Sequence, residues 1–372
     1  MIFKKIRDKG LLWFFNRLRM EMRNPTKQFS KVPIDLFLGA RKKIGKLFKK
    51  ENNDELLYLM YDLEVCDITY HFANRLIDAE FEAKKQRKKG FVVVIVPRST
   101  SSRPDMSFKE YDSVIDDQSK LWRLQNVIMP LISLSPCCRG TYVLPQRDDV
   151  FKFVKNHDVY PYLYDGVNLR APGGSDLYTK KLDRPNLIEG LRPLPQGLKY
   201  VQDWLQLNRI QTPVVTITIR SSPFDTPRNS DIAAWSKFAS YLLVSGYHAV
   251  IILDTDNAFF KESAFEGVSI FRECSWNMGL RAAIYETAFL NFFVPNGPAT
   301  LAIFNPSCSY INMNMLPAGS IVTNEEAYKA AGHKIGDSYK FATDKQRLCW
   351  KPDTFENIKF EFDRFVSENP VC

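Results

Sequence analysis

The chain has 372 residues, 45% of them hydrophobic and 25% charged, with a formal net charge of +9, a length that suits two globular domains rather than one. Fifteen Lys and Arg against Asp8, Glu21 and Asp35 make residues 1–50 +12, which leaves −3 for the remainder. That near-neutral body counts against a nucleic-acid-binding fold, which would carry a basic face on the fold itself. Seven cysteines and four histidines occur without CxxC or Cys/His metal spacing, which counts against a disulfide framework and points to a reduced, cytosolic compartment.

Residues 2–22 place Ile2, Phe3, Ile6, Trp13, Phe14 and Leu18 among Lys4, Lys5, Arg7, Lys9, Arg17 and Arg19. A helix of this pattern is amphipathic and basic, suited to an anionic membrane surface. Leu11 to Phe15 is too short an apolar core for a signal peptide, and no apolar run approaches the ~18 residues of a membrane span. Residues 51–89 repeat Leu56, Leu59, Met60, Leu63, Ile68, Phe72, Leu76 and Ile77 at helical spacing, so this stretch reads as helical. Phe91 to Val96 is a continuous apolar run, the mark of a strand buried on both faces of a parallel sheet. A Ser- and Arg-rich loop follows from Arg98 to Pro104. Leu121 to Leu134 reads as a helix and Thr141 to Leu144 as a short strand. Residues 157–198 are rich in Pro and Gly, and the boundary between two domains is placed at their end, near Gly197.

Strand and helix then alternate, as in a doubly wound sheet. Leu198 to Leu207 is a helix, Val214 to Ile219 a strand, Ile232 to Val244 a helix and His248 to Leu253 a strand. Val268 to Phe271, Phe292 to Val294 and Tyr310 to Met313 are short strands, and Asn277 to Leu290 is a helix. Asp353 to Ser367 closes the chain with an amphipathic helix.

The centre of this half is Thr212 to Ser230, TPVVTITIRSSPFDTPRNS. Its strand ends on Arg220, and Arg228-Asn229-Ser230 precedes the next helix, supplying a second guanidinium and an N-cap. Ligands of open α/β sheets lie outside the carboxyl ends of the strands, and helix N-termini favour anions. Two arginines in that setting make a site for a diphosphate; the alternative is one Arg capping a strand and one on a solvated loop. Asp254-Thr255-Asp256 ends the next strand. It can hold Mg²⁺ or Mn²⁺ on a substrate phosphate, accept hydrogen bonds from a base or ribose, or cap the following turn. Asn296-Gly297-Pro298-Ala299-Thr300 joins a strand to a helix start, where small residues let a ligand approach the backbone; it lacks the GxGxxG dinucleotide pattern. Arg281 and Glu286 are expected on a solvated or paired helix face. Gln346, Arg347 and Trp350 are expected in a polar stretch, with Trp350 in the core or as a staple.

Residues 213–300 resemble the carboxyl-terminal domain of the fucosyltransferase-like branch of the GT-B glycosyltransferases. Thr218-Ile219-Arg220 stands where that branch has a strand ending His-x-Arg. Asp254-Thr255-Asp256 stands where it has Thr-Asp, and Asn296 to Thr300 where it has a small-residue turn. The resemblance implies that Arg220 binds the donor's β-phosphate, Asp256 the base, and the backbone of Pro298 to Thr300 a phosphate. It implies a GT-B-like α/β fold with two Rossmann-like doubly wound domains facing across a cleft. Residues 1–50 would be a basic helical extension, 51–197 the acceptor-side domain and 198–372 the nucleotide-sugar domain.

The expected activity is metal-independent transfer of a hexosyl or deoxyhexosyl group from a nucleotide-sugar to a cell-surface polysaccharide or glycolipid. No cofactor is implied, and nucleic acid is not expected as a partner. The setting is cytoplasmic, peripheral on the inner face of the membrane through residues 1–50. A general base would come from the first domain, with Asp105, Asp116 and Asp117 as candidates. Two alternatives stand beside this: a GT-A-type enzyme holding Mg or Mn on Asp254 and Asp256, and a non-enzymatic membrane adaptor.

Overall fold

The computed structural model describes residues 54–98, 115–172, 177–184, 186–259 and 263–370. The basic extension 1–50, Asp105 and most of the loop from Arg98 to Pro104 lie outside them. The chain forms two compact units. Where composition suggests one boundary near Gly197, the described chain passes repeatedly between them: one unit takes residues 54–67, 82–98 and 138–172, the other 68–81, 115–137 and the described residues from 177 onward.

The first unit holds a four-stranded parallel sheet of order β3-β2-β1-β4, with β1 Leu57–Asp62, β2 Phe91–Val96, β3 Cys138–Val143 and β4 Val159–Tyr160. The all-apolar β2 is buried along its whole length, as expected. β1 is a correction, because residues 51–89 read as helical throughout. LYLMYD is a nearly unbroken apolar run, and such a run fits the centre of a parallel sheet as well as it fits a helix. The helix begins only with α1, Phe72–Lys85. β1 ends on the fully buried Asp62. Its carboxylate accepts a forked pair from Arg147, at 2.8 and 2.7 Å, and the Tyr164 hydroxyl at 2.6 Å. α4, Asp149–Asn156, follows Arg147 in the chain.

In the second unit α2 (Asp117–Arg123) runs through a π-helical segment (Leu124–Ile128) into α3 (Met129–Ser133). Six parallel strands follow: β5 Val214–Thr218, β6 His248–Ile252, β7 Ser269–Ile270, β8 Leu290–Phe293, β9 Tyr310–Asn312 and β10 Gln346–Leu348. Their spatial order is β7-β6-β5-β8-β9-β10. Numbered from the first strand of this sheet, that is 3-2-1-4-5-6, the doubly wound dinucleotide-fold order. The order reverses between β5 and β8, and folds of this order bind ligands at the carboxyl ends of the two strands flanking that reversal.

The helices of this sheet are α5 Pro195–Leu207, α6 Ile232–Val244, α7 Met278–Thr287, α8 Thr300–Ile303, α9 Glu325–Ala331 and α10 Phe355–Glu368. α6 and α10 bury Trp235, Phe238, Leu242, Ile358, Phe362 and Phe365 in one core with β5, β6 and β8. Phe238 meets Phe292 and Phe362 edge-on, with centroids 5.1 and 5.5 Å apart, contacts worth about 1 kcal/mol each beyond their buried area. α5 lies close on α7, since a Cβ at Gly197 would stand 3.1 Å from the Gly279 carbonyl oxygen. β10 and α9 are absent from the pattern read in the sequence. Gln346 reads as polar, yet its buried side-chain amide donates to the carbonyls of Asn305 and Cys308 at 2.9 and 3.1 Å. No helix of the described residues is long and apolar enough to cross a membrane.

Candidate functional site

The segment after β5 is a loop wrapped around one guanidinium. Arg220 is 6% exposed. Its Nη1 donates to the Asp225 carbonyl at 3.2 Å and to Asn229 Oδ1, and its Nη2 donates to the Phe224 carbonyl. The Nε–H and one Nη2–H take no partner among the described residues. The Arg220 backbone exchanges bonds with Ser230, its N–H donating to Ser230 Oγ at 2.9 Å and its carbonyl accepting from Ser230 N at 3.0 Å. Asn229 Oδ1 also accepts from Ser222 N at 3.1 Å, and its Nδ2 donates to the Ser222 carbonyl at 3.0 Å. Asn229 and Ser230 therefore fasten the loop. The N-cap expected from Arg228-Asn229-Ser230 is instead Asp231, which accepts from Ala234 N at 3.1 Å: a carboxylate one residue nearer the helix meets its free N–H groups.

Arg228 leaves this loop and crosses the switch point, donating Nε and Nη2 to the Pro295 carbonyl at 3.2 and 2.9 Å. Thus the loop after β5 is bound to the end of β8. Asp225, in the left-handed region at φ 54°, sits 3.8 Å from Arg228 Nη1. Its carboxylate accepts from Ser320 Oγ at 2.7 Å and Ile321 N at 3.1 Å. Burial, then the charge of Arg228, lowers the Arg220 pKa to about 10, with Asp254 and Asp225 opposing. Burial also lowers Arg228, against Asp225. The charge of Arg228 thus works against that of Arg220, and the Asp225 carboxylate beside Arg228 is already engaged by Ser320 and Ile321. An anion entering here would relieve both costs.

Asp254 accepts from Ser221 N at 3.2 Å and from Thr255 N at 2.8 Å, so each carboxylate oxygen holds a backbone N–H. Thr255 Oγ1 donates to the Ser275 carbonyl at 2.9 Å. Asp256 is exposed and has no hydrogen bond or ion pair among the described residues. In the turn after β8, Asn296 Oδ1 accepts from Ala299 N at 2.9 Å, and Thr300 N and Oγ1 both donate to the Gly297 carbonyl, at 3.2 and 2.8 Å. Pro298 has no N–H to offer. The expected phosphate-binding donors of Pro298 to Thr300 are therefore engaged within the turn. What approaches Gly297 closely is Tyr70: a Cβ there would lie 2.5 Å from its ring.

Tyr70 carries no signal in the sequence, and Arg281 lies where the sequence does not place it. Tyr70 stands just before α1, far from the sheet in sequence. It is buried and donates its hydroxyl to Met278 Sδ at 3.2 Å; burial pushes that hydroxyl's pKa up, against the charge of Arg281. Arg281 was expected on a solvated or paired face of α7 but is fully buried. It donates to the carbonyls of Cys274, Leu253 (3.2 Å) and Ser275 (3.0 Å). It thereby fixes the segments that leave β6 and β7 and lead into α7. Its neighbour Tyr285, whose hydroxyl burial pushes well up, lies 2.8 Å from Thr218 Oγ1. Glu286 is paired, with Arg192 at 3.5 Å and Asn305 Nδ2 at 2.7 Å. Of the general-base candidates, Asp116 caps α2 by accepting from Ser119 N at 2.7 Å, and Asp117 pairs with Lys120 at 3.2 Å; both belong to the second unit.

One group of the described residues, Glu80, Cys137 and Glu189, brings three potential metal-ligand atoms within 4.8 Å of one another. The buried Glu80 carboxylate already accepts the N–H groups of Glu189 and Gly190, at 2.5 and 3.2 Å. That makes the group a latch between segments as it stands.

No protein-family model matches the chain, and no curated protein matches it. Solved structures do. A glycosyl transferase family 9 protein from Veillonella parvula aligns over 84% of this chain and 97% of its own, at 11% identity and a TM-score of 0.51. The E. coli ADP-heptose LPS heptosyltransferase II aligns over 85% and 100%, at 9% identity and a TM-score of 0.49. E. coli heptosyltransferase WaaC with ADP aligns over 84% and 98%, at 10% identity and a TM-score of 0.41. With the two parallel sheets, the first of these likenesses establishes the expected GT-B-like α/β fold. That protein is described as a family 9 glycosyl transferase and not as a fucosyltransferase, so the resemblance of residues 213–300 to that branch gains nothing from it.

Proposed function

We propose that the chain is a glycosyltransferase that moves a sugar from a nucleotide-sugar donor to a glycan or glycolipid acceptor. The observation that carries this reading is the convergence of Arg220 and Arg228 on Asp225, at the strand-order reversal of a 3-2-1-4-5-6 sheet. As the glycosidic bond breaks, negative charge grows on the oxygen between sugar and β-phosphate. Guanidiniums already fixed in place stabilise that charge with little reorganisation. Arg220 keeps an Nε–H and an Nη2–H for the diphosphate, and the rest of its donors hold it rigid. The fold shared with a protein described as a family 9 glycosyl transferase supports the reading.

In this reading the two cations take the part that a divalent metal plays in GT-A enzymes, and transfer is metal-independent. The engagement of both Asp254 oxygens with backbone N–H groups favours it over the metal alternative. The basic amphipathic residues 1–50 would hold the enzyme against the inner membrane face, near a lipid-linked acceptor.

A thermal-shift screen against GDP-, UDP-, ADP-, dTDP- and CMP-linked sugars tests the proposal. A ligand at about 100 times its Kd stabilises the folded form by roughly 2.7 kcal/mol. A shift with at least one compound, reduced in Arg228→Gln, is expected. No shift with any of them, or an equal shift in the variant, overturns the reading and leaves the adaptor alternative.

A further inference from the structure

Phe259 is the most exposed aromatic ring among the described residues, at 79%. It nevertheless has a partner, stacked on Trp276 with centroids 5.0 Å apart and planes 23° from parallel. An exposed Phe with one face on an indole leaves its other face open to solvent, which is costly for an apolar ring.

Both halves of the pair are anchored. On the Phe259 side, Arg272 Nη1 donates to the Ala258 carbonyl at 2.7 Å. On the Trp276 side, the preceding Ser275 carbonyl accepts from Thr255 Oγ1 at 2.9 Å and from the buried Arg281 at 3.0 Å. The Trp276 indole N–H has no partner among the described residues. Phe259 follows β6 and Trp276 follows β7, so both leave carboxyl ends of the same parallel sheet. The turn between β6 and Phe259 is bound to the residue after Arg220: Ser221 N donates to Asp254 at 3.2 Å, and Asn257 Nδ2 donates to the Ser221 carbonyl at 3.4 Å. Phe259 is two residues beyond Asn257, within about 8 Å of chain.

We infer that Phe259, backed by Trp276, is a stacking platform for the base of a nucleoside diphosphate whose phosphates meet Arg220 and Arg228. A flat aromatic ligand on the open face of Phe259 covers the exposed ring and gains base–aromatic stacking, which tolerates any base. The platform sets affinity for the nucleoside part, while the arginines set affinity for the diphosphate. This rests on the donor-site reading above and adds to it the residues that hold the base.

The experiment titrates UDP, ADP, GDP and inorganic pyrophosphate into the full chain and into Phe259→Ala, Phe259→Tyr and Trp276→Ala by calorimetry. The expected result is that Phe259→Ala weakens the bound nucleotide at least fivefold, Trp276→Ala weakens it less, and Phe259→Tyr restores it. Pyrophosphate affinity stays unchanged in all three, which shows that the variants keep the anion site folded. If the nucleotide binds the wild type and Phe259→Ala equally, the platform is refuted while the donor-site reading stands; a platform for an acceptor sugar would give that result. If the wild type binds no nucleotide, both are refuted. If pyrophosphate weakens as much as nucleotide in Phe259→Ala, the ring acts on the loop and not on a base, and the inference is again refuted.

Discussion

The ring of Tyr70 occupies the space that a side chain at residue 297 would need, with Cδ2, Cγ and Cβ at 2.5, 2.8 and 2.9 Å from an ideal Cβ there. Glycine at 297 therefore answers to a tyrosine more than two hundred residues earlier. Because the ring is buried and its hydroxyl is held by Met278, it cannot swing aside cheaply. Gly297→Ala is expected to cost about 1–3 kcal/mol, as overpacking does. Adding Tyr70→Ala should make the two changes non-additive, with the second costing less in the Gly297→Ala background. Chemical denaturation of the four proteins measures this. Additive costs would mean that the two residues do not share the space.

Arg281 is a fixed strut rather than a ligand group. Replacing it by Met leaves the carbonyls of Leu253, Cys274 and Ser275 without their guanidinium donors in a buried site, at a cost on the order of 3 kcal/mol or more. Lys should not rescue it, because a point ammonium cannot reproduce the planar fork. Denaturation midpoints of Arg281→Met and Arg281→Lys check this; a Lys variant as stable as the wild type contradicts it.

Much of this framework is legible in the sequence, and what escapes it does so for physical reasons. β2, β5, β6 and α6 follow from apolar runs and periodicity, and Arg220 follows from its place at a strand end. β1 is misread because a short strand buried at all but Tyr58 has no alternation to reveal it. β10 is missed because Gln346 and Arg347 look solvated, whereas Gln346 is buried and satisfied by carbonyls from the α8–β9 connection. Tyr70 carries no local signal, since its importance lies in what the fold brings to it. Arg281 is misplaced because a helical arginine is usually exposed, and only the three carbonyls that converge on it permit its burial.

In the first unit, Asp62→Asn should be severe. Its carboxylate is fully buried and receives Arg147 twice, the Tyr164 hydroxyl and Glu64 N. Weakening this pair costs on the order of 3 kcal/mol, because Arg147 loses its forked carboxylate and keeps only Glu64, at 3.7 Å, as a counterion. Asp62→Asn paired with Arg147→Met should recover part of the loss. Urea unfolding of both variants decides, and an Asp62→Asn protein as stable as the wild type contradicts the assignment.

Stability should fall in mild acid. Burial holds the His248 imidazole below the usual histidine value, with Nε2 at 2.8 Å from Ser269 Oγ, and burial lowers His333 as well. A histidine depressed in the folded state binds fewer protons there than in the unfolded chain. Its contribution is complete above the unfolded value of about 6.5 and is lost as pH falls through the lower folded value. The Tm should therefore drop below about pH 6.5, and less steeply in His248→Asn. An identical pH profile for the variant would contradict this.

The most direct test of the two-arginine site is the affinity for inorganic pyrophosphate, which carries the charge of the leaving group without base or sugar. Calorimetry on the wild type, Arg228→Gln and Arg220→Lys, with EDTA present throughout, separates the guanidiniums from any metal. The site described here predicts binding by the wild type in EDTA and a loss of tenfold or more in each variant. Binding that needs added Mn²⁺ or Mg²⁺, or that is equal in all three proteins, would contradict it.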